Sequence, residues 1–364
     1  MTHILNRSRR TLAALLLTAL ATLLLGGCSG GKQKYAHEFL GTFDTLIQIV
    51  GYADSEADFD AMALAAQARF EALNRLYDIY NTYDGVVNVR SINEQAGIAP
   101  VKVDADLMGL IRFSLQWHEQ TSGLCNIAMG PVLALWHDAR DAGLDDPAAA
   151  TLPDPAALRA AAALTDIRKV IVDETAGTVF LQDAGMSLDV GAVAKGYACG
   201  LVAQELKAQG YASFCISGGG NVVAVGAPQD GQRTRWGVGI QNPDGNPMDA
   251  EEAPIDVAFV NDAAVVTSGD YQRTYMVDGV SYHHLIDPTT LMPATHYRAV
   301  SVMAADSGVA DFMSTTLFLT PPDQIVKAAA DTGVEVLWIL PDGTVGTTDG
   351  MKAVLRDRGG ATNK

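Results

Sequence analysis

Asp189-Val-Gly-Ala-Val-Ala-Lys-Gly-Tyr197 is the stretch from which the fold can be read outward. Met186 to Asp189 has the character of a short strand, Gly191 permits a turn, and Ala192 to Gln209 reads as an apolar helix with Lys195 one turn from its start. A strand that turns into a helix leaves unpaired backbone N–H groups at the junction, and such groups suit an anion. The segment is neither a P-loop, G-x-x-x-x-G-K-[ST], nor the dinucleotide fingerprint G-x-G-x-x-G. Generic nucleotide templates therefore do not describe it.

Upstream, Thr42 to Val50 alternates and predicts a strand, and Ser55-x-x-Asp58 opens a helix with Phe59, Met62, Ala66, Phe70 and Leu73 on one face. A further helix is expected over Ala105 to Gln120, with Leu107, Leu110, Ile111 and Ser114 along its inner side. Ala139 to Ala163 is rich in Ala, Asp and Pro and reads as a surface loop with a short helix. From Val170 strands dominate: Val170 to Val172, Thr178 to Leu181, Phe214 to Ser217, Asn221 to Gly226, Trp236 to Gln241, Ile255 to Val260, Ala263 to Thr267, Gln272 to Val277 and Ala299 to Met303. Gly and Asn-Asp turns join many of them, which favours antiparallel pairing. Helices over Gly308 to Leu319 and Asp323 to Thr332 follow. The fold class is α+β, largely antiparallel sheets with packed helices.

Residues 1–27 carry Arg7, Arg9 and Arg10, then an apolar run from Leu12 to Leu25, then Leu25-Gly-Gly-Cys28. This is the pattern of an export signal ending in a lipobox, with Cys28 as the lipidated first residue of the mature protein. The run is shorter than the roughly 20 apolar residues a spanning helix needs. Acylation supplies more than one chain, enough for stable anchoring, so the expected location is extracytoplasmic, tethered to a bacterial membrane. Residues 28–36 read as a tether, 37–356 as one large domain or two closely joined halves, and 357–364 as a tail.

The chain carries 25 basic and 42 acidic side chains, a net charge of −17 that becomes −20 once the three leader arginines are removed. Such a surface excludes nucleic acid as a natural partner. Cys125, Cys199 and Cys215 form no C-x-x-C and read as small buried hydrophobes.

Four segments carry candidate chemistry. Asp311, Ser314 and Thr315 stand at i, i+3 and i+4 on an expected helix, so their oxygens share a face; this is a hard donor set suited to Mg²⁺, and equally a capping acid followed by two back-bonding hydroxyls. His283-His284-Leu-Ile-Asp-Pro288 places two adjacent histidines on an extended segment, where they face opposite ways, so at most one serves as a general base. Ser217-Gly-Gly-Gly-Asn221 lets the backbone approach a ligand or simply forms a hairpin turn, and Thr267-Ser-Gly-Asp-Tyr271 has the same two readings. Tyr83 either stacks on a planar ring or packs in the core, with packing favoured.

Together these motifs resemble the FAD:protein FMN transferases, the ApbE family. The matching elements are Gly41-Thr42, Asn81-Thr-Tyr83, Gly130-Pro131 with Leu135-Trp136, Asp189 to Gly196, Gly219-Gly-Asn221, Ser268-Gly-Asp-Tyr271, His284 to Pro288 and Ala310 to Thr315, in the family's order across roughly residues 40 to 320. The resemblance implies transfer of FMN from FAD, with Mg²⁺, to a threonine or serine of an acceptor protein bearing a Ser/Thr-Gly-Ala-Ser/Thr-like motif, with a phosphodiester formed and AMP released. It implies His284 as the catalytic histidine. Leu40, Tyr83, Leu124, Cys125, Asn126, Asp189, Lys195 and Leu285 fall where the family touches the flavin nucleotide. Ala192, through its carbonyl, joins Asp311, Ser314 and Thr315 at the metal. Departures are Leu40 for Met, Asn126 for Asp, Thr289 for Arg and Leu291 for Gly. Two other functions remain open on the residues: a metal-dependent FAD hydrolase, and a flavin- or solute-binding lipoprotein without catalysis.

Overall fold

The computed structural model describes residues 32–245 and 253–364, and Lys32 to Lys364 form one compact unit. The leader and Cys28 lie outside the described residues. Eight antiparallel strands make the central sheet, in the spatial order Gln33–Thr42, Thr45–Ala53, Phe214–Gly218, Asn221–Val225, Ala263–Gly269, Ala299–Ala304, Glu335–Ile339 and Val345–Thr347. Both faces are buried, and the period-2 alternation of the strands divides their side chains between two cores. Ile47, Ile49, Val300, Val302 and Val336 face the larger core beneath helices Glu56–Tyr77, Ala105–Gln120, Ala194–Ala208 and Ser307–Phe318. Tyr52, Ala299, Leu337 and Ile339 face a second core closed by the ribbon Trp236–Ile240 with Asp256–Val260 and by the C-terminal helices. A third cluster, around Trp136, Leu158, Tyr275 and Ile286, joins helices Gly130–Asp145 and Pro155–Ala162 to the ribbon Tyr275–Val277 with Val280–Tyr282.

The α+β class and most expected elements are present. Helix Ala105–Gln120 has the expected bounds and inner face, and Ser55 caps Glu56–Tyr77 by accepting from the Asp58 amide. Four expectations are corrected. The stretch Thr42 to Val50 is the turn and second arm of a hairpin whose first arm begins at Gln33, so residues 33–36 belong to the sheet and not to a tether. Its turn, Phe43-Asp44, has φ of 53° and 50° without glycine, and the Phe43 amide is held by Asn74 Oδ1 at 2.7 Å. Ala139–Asp145 is the second half of helix Gly130–Asp145, where Gly143 admits the Tyr275 ring to the helix surface.

Met186 to Asp189 is extended but joins no strand. Leu188 instead exchanges two bonds with the Asn93 side-chain amide, 2.7 and 3.0 Å, and the Asp189 amide donates to the Ile127 carbonyl at 2.8 Å. Nor is the chain end a free tail: the fully buried Asp256 accepts from the Asp357 amide at 2.9 Å and pairs with Arg358 at 3.0 Å, while the Asn363 carbonyl accepts from the Thr234 amide.

Candidate active site

The helix Ala194–Ala208 begins two residues later than the sequence suggests, because Val190 and Asp189 first make a turn: the Val190 carbonyl takes the Val193 and Ala194 amides, and Asp189 Oδ1 takes the Gly191 amide at 2.8 Å. No side chain caps the helix. It crosses Ser307–Phe318 at Gly196, where a Cβ would overlap Asp311 Cβ and the Ser307 carbonyl. At this contact the Gly196 amide donates to Asp311 Oδ2 at 2.7 Å instead of to the Ala192 carbonyl four residues back. The Ala192 carbonyl is thereby left free of its helical partner.

These groups open onto a cavity of about 600 Å³. Asp189, Ala192, Lys195, Asp311 and Thr315 line it, as do Leu124, Cys125, Asn126, His284 and Leu285. The sequence-predicted residues are thus brought together, with two exceptions. Leu40 is 60% exposed and outside the cavity, whose edge is made by its neighbours Gly41 and Phe43. Ser314 is turned away: its hydroxyl donates to the Asp311 carbonyl at 2.9 Å and bonds Ser268 Oγ at 2.8 Å, and Ser268 is the residue that reaches the cavity. Tyr83 lines the cavity without packing in the core; it is half-buried and donates to Asp78 Oδ2 at 2.7 Å.

The donor set fits a hard cation. Asp311 is buried, which raises its carboxyl above the usual range against the opposing effects of Lys195 and the Gly196 amide. A buried carboxylate beside a freed carbonyl and the Thr315 hydroxyl offers three oxygens and leaves space for water and phosphate, the shell Mg²⁺ prefers. Among the described residues no group of three or more His, Cys, Asp or Glu side chains offers an alternative metal cluster.

The two histidines differ as their alternation requires. His283 Nε2 meets the Ala294 carbonyl at 2.8 Å and its Nδ1 accepts from the Leu285 amide, so both ring nitrogens are spent on structure. His284 Nδ1 lies 3.1 Å from the Gln272 carbonyl. A carbonyl only accepts, so Nδ1 carries the proton and Nε2 keeps its lone pair. Burial first, then Arg273 and Lys195, lower the His284 pKa to about 3. Burial also pushes the Cys125 thiol far up, which excludes it as a nucleophile at neutral pH.

One departure from the family pattern acquires a local reason. Asn126 Oδ1 caps the Ala128 amide at 2.8 Å while Nδ2 donates to the Thr165 carbonyl at 2.9 Å, a bond that aspartate cannot make. At Leu291 the φ of 61° accounts for the family's glycine and gives leucine no reason; the Leu291 carbonyl accepts from Trp136 Nε1 at 3.0 Å. For Thr289, exposed and bonded to Asp287, the structure offers no such reason.

Sequence reasoning did not find Arg140, Gln272 or Arg273 in the cavity. Arg273 has φ of 48° and, among the described residues, neither it nor Lys195 has an ion-pair partner. No spacing rule marks such a turn.

An uncapped helix end, a set of hard oxygen donors and a histidine with one unspent ring nitrogen share one cavity, an arrangement that suits an anionic ligand. A family model for the ApbE family matches residues 43–338, and the chain belongs to that family. It is 37% identical over 274 residues to the FAD:protein FMN transferase of Treponema pallidum, covering 72% of this chain and 73% of that protein. It is 34% identical over 257 residues to one from Klebsiella pneumoniae, covering 70% and 75%. The crystal structure of the ApbE protein of Thermotoga maritima superposes with a TM-score of 0.76 at 26% identity, over 88% of this chain and 99% of that one. The Vibrio cholerae flavin transferase ApbE, 23% identical, shares the fold with a TM-score of 0.73 over 89% and 99%.

Proposed function

We propose that this chain is a flavin transferase that moves the FMN half of FAD, with Mg²⁺, onto a threonine or serine hydroxyl of an acceptor protein. The observation that carries this reading is the pairing, in one cavity, of the His284 ring in its Nδ1–H form with the oxygens of Asp311, Thr315 and Ala192. In the proposed step the acceptor oxygen attacks the FMN phosphorus, the bond from that phosphorus to the bridging oxygen breaks, and AMP leaves with that oxygen. The hydroxyl proton passes to His284 Nε2. A phosphodiester to the acceptor results.

Mg²⁺ held by Asp311, Thr315 and the Ala192 carbonyl would neutralise phosphate charge and orient the diphosphate. Lys195 and the helix end bind the same anion, and Asp189, Tyr83, Leu124, Cys125, Asn126 and Leu285 shape the nucleotide pocket. Burial is the larger cause of the lowered His284 pKa, and an arriving diphosphate would offset only the part that comes from Arg273 and Lys195. The leader and Cys28 support a lipid-anchored, extracytoplasmic location, where the acceptor would be a membrane or secreted redox protein carrying a Ser/Thr-Gly-Ala-Ser/Thr-like motif. Mass analysis of the mature N-terminal peptide for diacylglycerol on Cys28 tests the anchoring.

The catalytic test incubates the full chain in detergent with FAD, Mg²⁺ and a motif-bearing acceptor domain, followed by intact mass and AMP release. An FMN-sized gain that falls by about 10² to 10⁴-fold in rate in His284→Ala, with FAD binding retained, is expected. Free FMN and AMP with an unmodified acceptor would instead mark a hydrolase, and intact bound FAD a binding protein.

A further inference from the structure

The Gly-Gly-Asn turn has no part in the steps above. Asn221 opens its strand between Gly218 and Val266, at the point where the sheet meets the cavity. It lines the cavity although only 2% of it is exposed. Its Nδ2 donates to the Gly218 carbonyl at 3.3 Å; since a carbonyl only accepts, the orientation of the amide is fixed and Oδ1 is the other group. That Oδ1 is buried without a hydrogen-bond partner in the protein. The hydroxyls of the next strand are committed elsewhere, Thr267 to Ser301 at 2.7 Å and Ser268 to Ser314 at 2.8 Å. A buried acceptor without a donor destabilises the free protein and is retained where a ligand supplies the donor.

We infer that Asn221 is a substrate-binding residue whose Oδ1 accepts a hydrogen bond from a ligand hydroxyl, either of the ribityl chain of the flavin nucleotide or of a water on the cation. The inference rests on the flavin-nucleotide reading. Thr315 lines the same cavity, and a ligand hydroxyl or a water can both donate to Asn221 and accept from the Thr315 hydroxyl, whereas a ring N–H only donates.

Asn221→Leu tests this, because it deletes the acceptor while keeping the branched outline of the side chain. Thermal unfolding of the free full chain and quenching of FAD fluorescence are read with Mg²⁺ and with EDTA. The orphaned acceptor predicts opposite signs: the unfolding temperature is unchanged or higher, while FAD affinity falls about tenfold. An equal loss in both buffers assigns the donor to the ribityl chain; a loss confined to Mg²⁺ assigns it to metal-bound water. Lumiflavin, which has the ring but no ribityl chain, should bind the variant as it binds the wild type. A matching loss for lumiflavin overturns the hydroxyl assignment, and unchanged FAD affinity overturns the inference. If Asn221→Leu fails to fold, Asn221→Ala is read by the same criteria. Wild-type protein that does not quench FAD removes the flavin reading itself, whereas wild-type quenching that survives Asn221→Leu removes this inference alone.

Discussion

Two parts of the cavity lining, a buried one (the inner end) and a more exposed one (the outer end), are built by different physics. At the inner end, helices Ala194–Ala208 and Ser307–Phe318 meet through Gly196, and the Asp311 carboxylate is fixed by a backbone amide inside a packed core. At the outer end, partly exposed groups hold one another: Tyr80 bonds His137 Nδ1 at 2.9 Å, and Asp78 gathers the Tyr80 and Asn81 amides and the Tyr83 hydroxyl. Close packing leaves one arrangement available before any ligand arrives, whereas solvent-exposed hydrogen bonds exchange with water at little cost. The inner end is therefore set for a fixed reaction, and the outer end can yield to whatever enters.

The largest effect should come from breaking the inner contact. Gly196→Ala forces a methyl group into Asp311 and the Ser307 backbone, and should lower stability in urea by about 3 kcal/mol and abolish Mg²⁺-dependent FAD binding. A variant of wild-type stability would show that the two helices can separate.

Acidity sharpens the contrast next. His284 titrates near 3 in the folded chain and near 6.5 when unfolded, so the unfolded state binds the extra proton between those values, and stability present at neutral pH is lost as pH falls below about 6.5. The urea midpoint should therefore fall between pH 7 and pH 5.5, with His284 contributing on the order of 1 kcal/mol, and His284→Gln should fall less. Equal slopes for the two proteins would mean that the ring is not held neutral.

Asn126→Asp, also in the cavity lining, loses the donor to Thr165 and should cost about 1 kcal/mol in urea. Restored stability at a pH low enough to protonate the new carboxyl would confirm the cause. Tyr83→Phe, at the outer end, removes one half-exposed bond to Asp78 and should change the urea midpoint by less than about 1 kcal/mol. A loss as large as that of Gly196→Ala would erase the distinction between the two ends.

Periodicity exposed the helices that bury one face, and alternation exposed the two-faced strands. Phe59, Phe70, Leu107 and Leu110 were legible because the spacing of apolar residues is itself the packing rule. The hairpin turn at Phe43-Asp44 was not, since it adopts positive φ without the Asn-Gly or Asp-Gly signal. Nor was the Leu188 segment, where one side-chain amide from a distant residue takes the place of a strand. The site residues were legible as ordered motifs, but their division of labour was not. Whether Ser314 faces the cavity or supports Ser268 depends on a neighbouring strand, and which histidine is spent on structure depends on carbonyls far along the chain. Arg273 enters the cavity through a backbone conformation that its own residue type disfavours.

The buried carboxylate of Asp256 has a consequence for proteolysis. Its cation and one of its amide donors come from Arg358 and Asp357, made long after the strand they complete. A chain that stops at Arg356 keeps the charge inside and lacks its counterion, so such fragments should be cut faster by proteases than the full chain when the two lengths are digested side by side. Survival among proteases would then favour chains that carry this counterion.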